Sequence, residues 1–527
     1  MNYPEFYSAL FRATLPETVL EIAALLVLIV DLGLLRKAAQ SVRLAVAAVL
    51  GVAGCGAALV AVELQGATWL DFGKSGEFAL LGTGGYIAIA QAGILVLTAL
   101  TLLLLFDSAF TRHIGEFVAV VLMAAAGGML IAAAQDLLVI FIGLELLSLG
   151  LYVLTAFAKS SGKSAEAAMK YYLFGGMSAA FLLFGFSYFY GLTGTTNLEL
   201  IQYRITMSGP SPLFYVAWVL VVAGLGFKVA AVPFHLWAPD TYEGAPAPAA
   251  AFIASVSKVA SFALLVTLAM NWWLRPSGDL ATDGHSLEQI LRAYYRTWPE
   301  LATVLLIASA ASIVLGNLAA LAQVSVRRLL AYSAVAHAGY ILLGLAAHPV
   351  FSGQGSAVDF NFFSFFTTLR AMQSVLYYVL TYGLTTVGAF GAVAVVERAT
   401  GSDRLDSFMG LHKRNPVLAG VLLILFLSLA GIPPLVGFWA KFNLFAAVLG
   451  EHAGAGPFGL VCLAIAMSAV SLYYYLQVLK RAYVMPAVDE SPIEVHPVTM
   501  AVLVGIAAAV VLLGCVPAFL GRWIEGF

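Results

Sequence analysis

The sequence predicts an all-α polytopic membrane protein of about fourteen transmembrane helices. Of its 527 residues, 62% are hydrophobic and only 10% are charged, whereas soluble domains carry about 25% charged residues. Apolar runs of about 20 residues recur along the whole chain, and each is long enough to cross a hydrocarbon core of about 30 Å. Such runs must form helices in lipid, because their backbone polar groups find no water there.

The apolar runs place the individual spans, and polar loops separate them. The N-terminal run lacks the basic segment and the cleavage site of a signal peptide, so we expect it to remain as the first span. The predicted spans, in chain order, are residues 15–36, 41–63, 86–106, 115–134, 136–158, 166–191, 213–239, 246–273, 300–321, 328–347, 374–396, 416–449, 456–479 and 497–520.

The distribution of basic residues predicts the orientation of the chain. An even number of spans puts both termini on one side, and loops on the opposite side carry nearly twice as many Lys and Arg residues as the terminal side. Because cytoplasmic loops are enriched in Lys and Arg, we expect both termini to lie outside. Four of the 26 Lys and Arg residues fall inside spans, and these are Lys170, Lys228, Lys258 and Lys441.

Two predicted spans are too long for one simple crossing. The run 416–449 would form a helix of about 50 Å, and it contains Pro433 and Pro434. The run 213–239 contains Pro233. Because proline breaks the interior of a helix, we expect spans 7 and 12 to be broken at these residues. Broken helices at corresponding positions of two halves are typical of an ion site in a transporter.

The spacing of the two broken spans predicts two inverted five-helix repeats. Spans 4–8, residues 115–273, would form the first repeat, and spans 9–13, residues 300–481, would form the second. An odd number of spans in each repeat inverts the second relative to the first. The three spans in residues 1–110 and the last span at 497–520 would complete a single membrane domain covering residues 1–527.

A carboxylate and a lysine in the first half are candidate proton carriers. Glu145 lies in the middle third of span 5, and Lys228 lies five residues before Pro233. Burial disfavours a charged side chain, whereas an opposite charge nearby favours it, so a Glu–Lys pair can alternate between charged and neutral forms. The alternatives are a structural ion pair or a permanently protonated acid for Glu145, and a side chain that reaches the interface for Lys228.

Two further lysines extend this row of charges. Lys258 lies deep in span 8, and Ser255 and Ser261 share its helix face, which makes a polar stripe able to hold water. Lys441 follows the second break and is interpreted as the positional counterpart of Lys228 on the other broken helix. Intramembrane charges are functional by default, and a structural role is the alternative for both lysines.

The remaining candidates carry stronger alternatives. Lys170 lies near the end of span 6, where its ammonium could reach the interface instead. His337 is a candidate because histidine as a residue type suits proton transfer near neutral pH, or it is a hydrogen-bonded structural histidine. Asp240 and Glu243 either gather protons at an entrance or cap the next helix. The histidines that lie near helix ends carry less weight, and these are His235 and His348.

Several classes of function are disfavoured by what the sequence lacks. It has no Gly-rich nucleotide fingerprint, and Cys55, Cys462 and Cys515 are too far apart to form a metal site or an iron–sulfur cluster. A net charge of −2 gives no electrostatic basis for binding nucleic acid. We therefore predict no redox centre and no cofactor in this chain, and lipid as its surroundings.

Six long strings of the sequence resemble the antiporter-like membrane subunits of respiratory complex I, the NADH–quinone oxidoreductase, and most closely its bacterial subunit N. The resemblance covers nearly the whole chain, although the segments 273–300 and 351–373 look longer than in the family. The strings are LPETVLEIAALLVLIVDL, GLELLSLGLYVLTAF, AMKYYLFGGMSAAFLLFGFSYFYGLTGTTNL, GFKVAAVPFHLWAPDTYEGAPAPAAAFIASVSKVASF, RRLLAYSAVAHAGYILLG and GIPPLVGFWAKF.

The resemblance implies a function for the row of charges. It implies Glu145 and Lys228 as the interacting pair of one half-channel, Lys258 as a central relay and Lys441 as an exit-side residue, and Lys170 matches a family lysine. It further implies that the chain lies in the bacterial inner membrane beside other complex I subunits, sister antiporter-like subunits among them. FMN, iron–sulfur clusters, NADH and quinone would then be bound elsewhere in the complex.

The predicted function is a proton-translocating membrane subunit of the translocase NADH:quinone oxidoreductase, driven by electron transfer in its neighbours. The main alternative is a subunit of a multisubunit cation/proton antiporter or of a membrane-bound hydrogenase, because those share the same core strings. A third hypothesis is a self-contained enzyme acting on a lipid, with Glu145 and His337 as acid and base. That enzyme would need both residues in one open cleft.

Overall fold

The computed structural model describes most of the chain as membrane-length helices. The described residues are 3–66, 69–71, 79–108, 110–273, 287–346, 362–450, 455–487 and 489–525. His348 and parts of the two long segments at 273–300 and 351–373 lie outside them.

Twenty α-helices are present in the described part of the chain. They are α1 (Tyr3–Ala13), α2 (Leu15–Ile29), α3 (Gln40–Gln65), α4 (Gly85–Leu103), α5 (Ile114–Ala133), α6 (Leu137–Thr155), α7 (Gly162–Thr193), α8 (Leu198–Ser208), α9 (Pro212–Val229), α10 (Trp237–Gly244), α11 (Ala247–Trp273), α12 (Leu287–Leu321), α13 (Val326–Leu345), α14 (Phe362–Thr400), α15 (Leu411–Arg414), α16 (Pro416–Ala430), α17 (Val436–Leu449), α18 (Ala455–Tyr483), α19 (Pro497–Cys515) and α20 (Ala518–Glu525).

The prediction of an all-helical membrane protein is confirmed. In the described ranges, 12 helices are long and apolar enough to cross a membrane. The other two predicted spans are α2, which continues through a π-helical turn at Val30–Leu34, and the pair α16 and α17. One feature was not predicted, a small antiparallel hairpin of β1 (Trp69–Asp71) and β2 (Ala79–Gly82) between α3 and α4.

Both long spans are broken beside the prolines. Helix α9 ends at Val229, Ala230 adopts a left-handed φ of 57°, and the Val232–Pro233 peptide bond is cis. Helix α16 ends at Ala430, Gly431 has a φ of 88°, and the Pro433–Pro434 bond is cis. The chain resumes as α10 after the first break and as α17 after the second. Each break leaves carbonyl groups at a helix end without a partner in their own helix.

The two halves pack their first helix pairs in the same way. A Cβ added at Gly127 of α5 would lie 2.6 Å from the Leu147 nitrogen of α6, and one at Gly316 of α12 would lie 2.6 Å from the Ala336 nitrogen of α13. These glycines let two backbones approach closely, as small residues do in membrane bundles. In both halves, the residue that caps the second helix also forms an antiparallel bridge to a later loop, Asp136 with Asn197 and Ser325 with Arg404.

The close approach at Gly316 predicts a large effect of a single methyl group. We expect Gly316→Ala to lower the amount of assembled protein in membranes, because α12 and α13 must separate at a cost of about 1–3 kcal/mol. The matched control is Gly420→Ala, since a Cβ there meets no atom within 4 Å. Detergent extraction followed by thermal unfolding measures both variants. Equal yield and equal stability of the two would contradict the prediction.

Candidate functional site

Lys228 is buried in the last turn of α9, directly before the first break. Its Nζ donates to the hydroxyl of Ser148 on α6 at 2.5 Å. Ser148 is also buried and lies one turn after Glu145, which is only partly buried. Within the described ranges, no ion pair joins Glu145 to Lys228. The hydroxyl of Ser148 is therefore the contact through which Lys228 meets the helix that carries Glu145.

Lys258 lies on α11 and is almost completely buried. Its Nζ donates to the carbonyl of Val229, the residue that ends α9 at the first break. Because a helix C-terminus carries partial negative charge, this carbonyl favours the ammonium form. Ser255 and Ser261 are buried on the same helix face, and the Ser261 hydroxyl has no hydrogen-bond partner among the described residues. The polar stripe expected around Lys258 is therefore in place.

Lys441 lies at the second break in a similar setting. Its Nζ donates to the Ala430 carbonyl at 2.9 Å and to the Leu429 carbonyl at 3.2 Å, both at the end of α16. It also donates to the Ser468 hydroxyl of α18 at 2.7 Å. The ammonium lies 5.4 Å from the ring centroid of Tyr340, within the range of a cation–π interaction. Both breaks thus present helix-end carbonyls to a buried lysine.

Lys228 and Lys441 do not occupy corresponding positions, which corrects the interpretation made from sequence. Lys228 precedes the break in its half, whereas Lys441 follows the break in its half. When the two breaks are matched at their left-handed residues, Ala230 and Gly431, Lys441 corresponds to Asp240. Pro233 and Pro434 give the same register, because each lies three residues after its left-handed residue. The interpretation paired the two lysines because both lie close to a break, although they lie on opposite sides of it.

His337 is buried on α13 and is enclosed by aromatic residues. Its Nδ1 lies 2.8 Å from the hydroxyl of Tyr378 on α14, and its Nε2 lies 3.4 Å from the hydroxyl of Tyr475 on α18. The ring of Tyr382 lies beside the imidazole, with 4.8 Å between centroids. A small cavity borders His337, Tyr378 and Ser428, and it is about large enough for one water molecule.

Lys170 belongs to a separate cluster of charges near the helix ends. Its Nζ contacts Glu166 at 2.7 Å and Asp240 at 2.8 Å. Arg328 contacts Asp240 at 2.7 Å and Glu243 at 3.0 Å. The side chain of Lys170 is 41% exposed and pairs with Glu166 and Asp240, whereas Lys228, Lys258 and Lys441 are buried at the helix breaks. Lys170 therefore belongs to a different site from the three buried lysines. The cluster joins α7 and α10 to α13 and so links the two halves.

Asp240 is the centre of this cluster. Burial raises the pKa of its carboxyl group, but hydrogen bonds from Lys170 and Arg328 outweigh burial and hold the pKa below its ordinary value. Asp240 is therefore ionised at neutral pH and shared by two cations. Its carboxylate and that of Glu243 are engaged in ion pairs, and neither caps α11. His235 is buried near the first break, where its Nδ1 has no partner in the described ranges.

Sequence reasoning missed the hydroxyl groups that surround the charged residues. Ser148, Ser468 and Tyr475 each lie in an apolar span, where serine and tyrosine side chains are common and do not by themselves indicate a site. A signal was available on α14, where residues with hydroxyl groups recur at helical spacing. These are Tyr378, Thr381, Tyr382 and Thr385.

The third hypothesis, a lipid enzyme, does not fit the positions of its two residues. Glu145 lies on α6 beside Ser148, whereas His337 is enclosed on α13 between Tyr378 and Tyr475. They do not share one open cleft. Across the ranges that the structure describes, no group of three or more His, Cys, Asp or Glu residues could hold a metal ion. That the chain binds no cofactor stays a prediction.

Known proteins resemble this chain over its whole length. The family described as NADH:quinone oxidoreductase/Mrp antiporter, TM, matches residues 134–276, 289–369 and 356–467. NADH-quinone oxidoreductase subunit N 2 of Acidobacterium capsulatum is 45% identical over 99% of this chain and 100% of its own length. Subunit N of Desulforamulus reducens is 39% identical over 76% of this chain and 75% of its own.

Solved structures agree with these relatives. A chain of respiratory complex I from Thermus thermophilus with bound aureothin has a TM-score of 0.73 and 31% identity, over 96% of this chain and 98% of that chain. A chain of the Mrp complex from Dietzia sp. has a TM-score of 0.75 at 19% identity, over 97% of this chain and 96% of that one. At that identity the likeness shows the fold alone, and the matching family model covers both kinds of subunit.

The family predicted from the sequence strings is therefore confirmed, together with a role as a membrane subunit of the NADH:quinone oxidoreductase translocase. The alignment with 45% identity extends over 99% of the chain. This chain belongs to the subunit N family of NADH–quinone oxidoreductase, the antiporter-like membrane subunits of respiratory complex I.

Proposed function

We propose that this chain carries protons across the membrane through a row of buried basic side chains, as the subunit N of a complex I. One observation supports the proposal most. Lys228, Lys258, His337 and Lys441 are all buried, and each contacts a hydroxyl or a carbonyl group contributed by another helix or by the far side of a helix break. Buried basic groups with polar partners of this kind are typical of intramembrane proton relays.

The helix ends at the two breaks influence whether the buried lysines hold a proton. An ammonium group at a helix-end carbonyl is favoured by the partial negative charge there, and burial opposes it. Because these effects oppose each other, a charge moving nearby would change which group holds the proton. Protonation of one lysine disfavours protonation of the next, so protons pass stepwise along the row. Side-chain hydroxyl groups and water would bridge the gaps.

Within this row, we assign a role to each residue. Glu145 and Lys228 act as a pair through Ser148, Lys258 is the central relay, and Lys441 lies on the exit side. Lys170 belongs to the ion cluster around Asp240 and supports the entrance region rather than the central row. Matched glycine packing and matched bridges support two five-helix repeats, at residues 115–273 and 300–481.

The energy for this movement comes from outside the chain. In the assembled complex, NADH, FMN, iron–sulfur clusters and quinone would serve electron transfer in other subunits. This chain would lie in the bacterial inner membrane, with both termini outside, among sister antiporter-like subunits and lipid. The excess of basic residues in the loops opposite the termini supports that orientation.

The proposal is tested in the whole complex reconstituted into vesicles, with Glu145→Gln and Lys228→Met made separately. We expect NADH-driven proton uptake to fall by about half or more in each variant, because a fixed neutral group cannot accept and release a proton. NADH oxidation and subunit content are measured on the same samples, so that loss of assembly is recognised. Undiminished proton uptake in both variants would overturn the proposal.

A further inference from the structure

The imidazole of His337 lies between two tyrosine hydroxyl groups from different helices. Tyr378 on α14 faces Nδ1 at 2.8 Å, and Tyr475 on α18 faces Nε2 at 3.4 Å. The Tyr475 hydroxyl is in turn hydrogen-bonded to the hydroxyl of Ser333, one turn before His337 on α13. All four side chains are buried. Three helices thus converge to form one continuous line of hydrogen-bonding atoms.

The surroundings hold this ring in a defined orientation. The rings of Tyr382 and Tyr340 lie beside the imidazole, at 4.8 Å and 5.8 Å between centroids. A structural histidine in an apolar helix would be satisfied by a single acceptor on one nitrogen. Here both nitrogens meet hydroxyl groups, and a hydroxyl both donates and accepts. A neutral imidazole donates at one nitrogen and accepts at the other, so it matches this arrangement on both sides.

We propose that Tyr378, His337, Tyr475 and Ser333 form a proton wire in the second half of the protein, in which the imidazole passes protons from one nitrogen to the other. The inference rests on the proposed function and deepens it, since it names hydroxyl groups that connect to the row of basic residues. Tyr378 and Tyr475 are the positioning residues, because they act through the imidazole of His337.

Each transfer along the wire conserves atoms and charge. A proton reaches the Tyr378 oxygen, and the Tyr378 O–H bond breaks as an N–H bond forms at Nδ1 of His337. The resulting imidazolium then loses the proton at Nε2 to the Tyr475 oxygen. Tyr475 releases its own proton to the Ser333 oxygen, and Ser333 releases its original proton onward. Every hydroxyl regains a proton as it gives one up, and rotation of the hydroxyl groups with the reverse tautomer change resets the wire.

The end of the wire at Tyr378 borders a place where water can exchange protons. The cavity beside Tyr378 is bordered by Thr381 and Ser428 and is about large enough for one water molecule. Ser333 lies at the other end, toward the start of α13, where Arg328 belongs to the ion cluster around Asp240. Lys441 approaches the same region through the ring of Tyr340, which contacts both the ammonium and the imidazole.

The experiment removes one hydroxyl at a time and keeps the ring. Tyr378→Phe and Tyr475→Phe are made in the complete complex, and proton uptake per NADH oxidised is measured in vesicles together with its solvent deuterium isotope effect. The neighbouring Tyr377 supplies the matched control. Tyr377→Phe removes a hydroxyl without a hydrogen-bond partner among the described residues.

We expect Tyr378→Phe and Tyr475→Phe each to lower proton uptake per NADH at least about twofold and to change the isotope effect, because one bond of the wire is missing. The Tyr377→Phe control should retain the uptake and the isotope effect of the unmodified complex. If only one of the two wire variants assembles, the same criterion applies to that one.

Three results would overturn the wire. If proton uptake in the wire variants equals that in the Tyr377→Phe control while Lys258→Met stops pumping, the wire is excluded and the proposed function is retained. An equal loss in the wire variants and in the control shows that the hydroxyl groups act only through packing. Undiminished uptake in Lys258→Met as well would instead overturn the proposed function, and the wire with it.

Discussion

Replacing Lys258 by methionine is expected to lower NADH-driven proton uptake at least about tenfold, because a positioned acid–base group is lost. The substitution keeps the length of the side chain and removes the ammonium that binds the Val229 carbonyl at the first break. Among the described residues, Lys258 is the only side chain that donates to the Val229 carbonyl, so we expect a proton passing from Lys228 toward the second half to lose its carrier. Proton uptake by vesicles containing the reconstituted complex measures the effect.

Two companion variants separate chemistry from packing at Lys258. Lys258→Arg keeps a positive charge but cannot release a proton under physiological conditions, so we expect assembly with little pumping. Ser257→Ala is the control, because the Ser257 hydroxyl bonds the Ile253 carbonyl within its own helix and lies on a different face. Proton uptake in Lys258→Met above about half of the unmodified value would contradict a central relay at this position.

Lys441→Met is expected to cause a loss of similar size. The ammonium has three hydrogen-bond partners, the carbonyls of Leu429 and Ala430 and the hydroxyl of Ser468. Removing it leaves two buried helix-end carbonyls without this donor, so we expect a drop in pumping of at least about tenfold and a lower unfolding temperature. Proton uptake in vesicles and thermal unfolding in detergent measure the two effects.

Ser468→Ala gives a graded comparison for Lys441. It removes one of the three partners and leaves the ammonium and both carbonyls in contact. We expect a small loss of pumping, clearly less than that of Lys441→Met. If Ser468→Ala abolished pumping while Lys441→Met retained it, the hydroxyl of Ser468, and not the ammonium, would be the group that carries protons here.

Much of the fold could be predicted because lipid restricts the choices available to the backbone. Apolar runs must be helices, so the spans at 41–63 and 497–520 were placed close to α3 and α19. The breaks were visible as Pro233 and Pro433–Pro434. The hairpin of β1 and β2 was not predictable, since its short strands follow no clear periodicity.

The buried lysines were predicted by a different argument. A charged residue inside an apolar span is costly, so it is usually retained for a function. Their partners could not be found that way. The carbonyls of Val229 and Ala430 are backbone atoms, and the sequence does not show which neighbouring side chain they meet. Lys170 was grouped with the other lysines because it falls inside predicted span 6, whereas its contact with Asp240 depends on how α7 packs against α10. His337 was found, but its two tyrosine partners come from helices distant in sequence.

The central claim is that a continuous path for protons runs from Glu145 to Lys441. It is tested most directly by a structure of the assembled complex in lipid, at a resolution that shows ordered water. We predict water molecules that link Ser148, Lys228, Lys258, His337 and Lys441, with successive polar atoms within about 3.5 Å of each other. A dry, apolar gap between any two consecutive members in every resolved state of the complex would contradict the account.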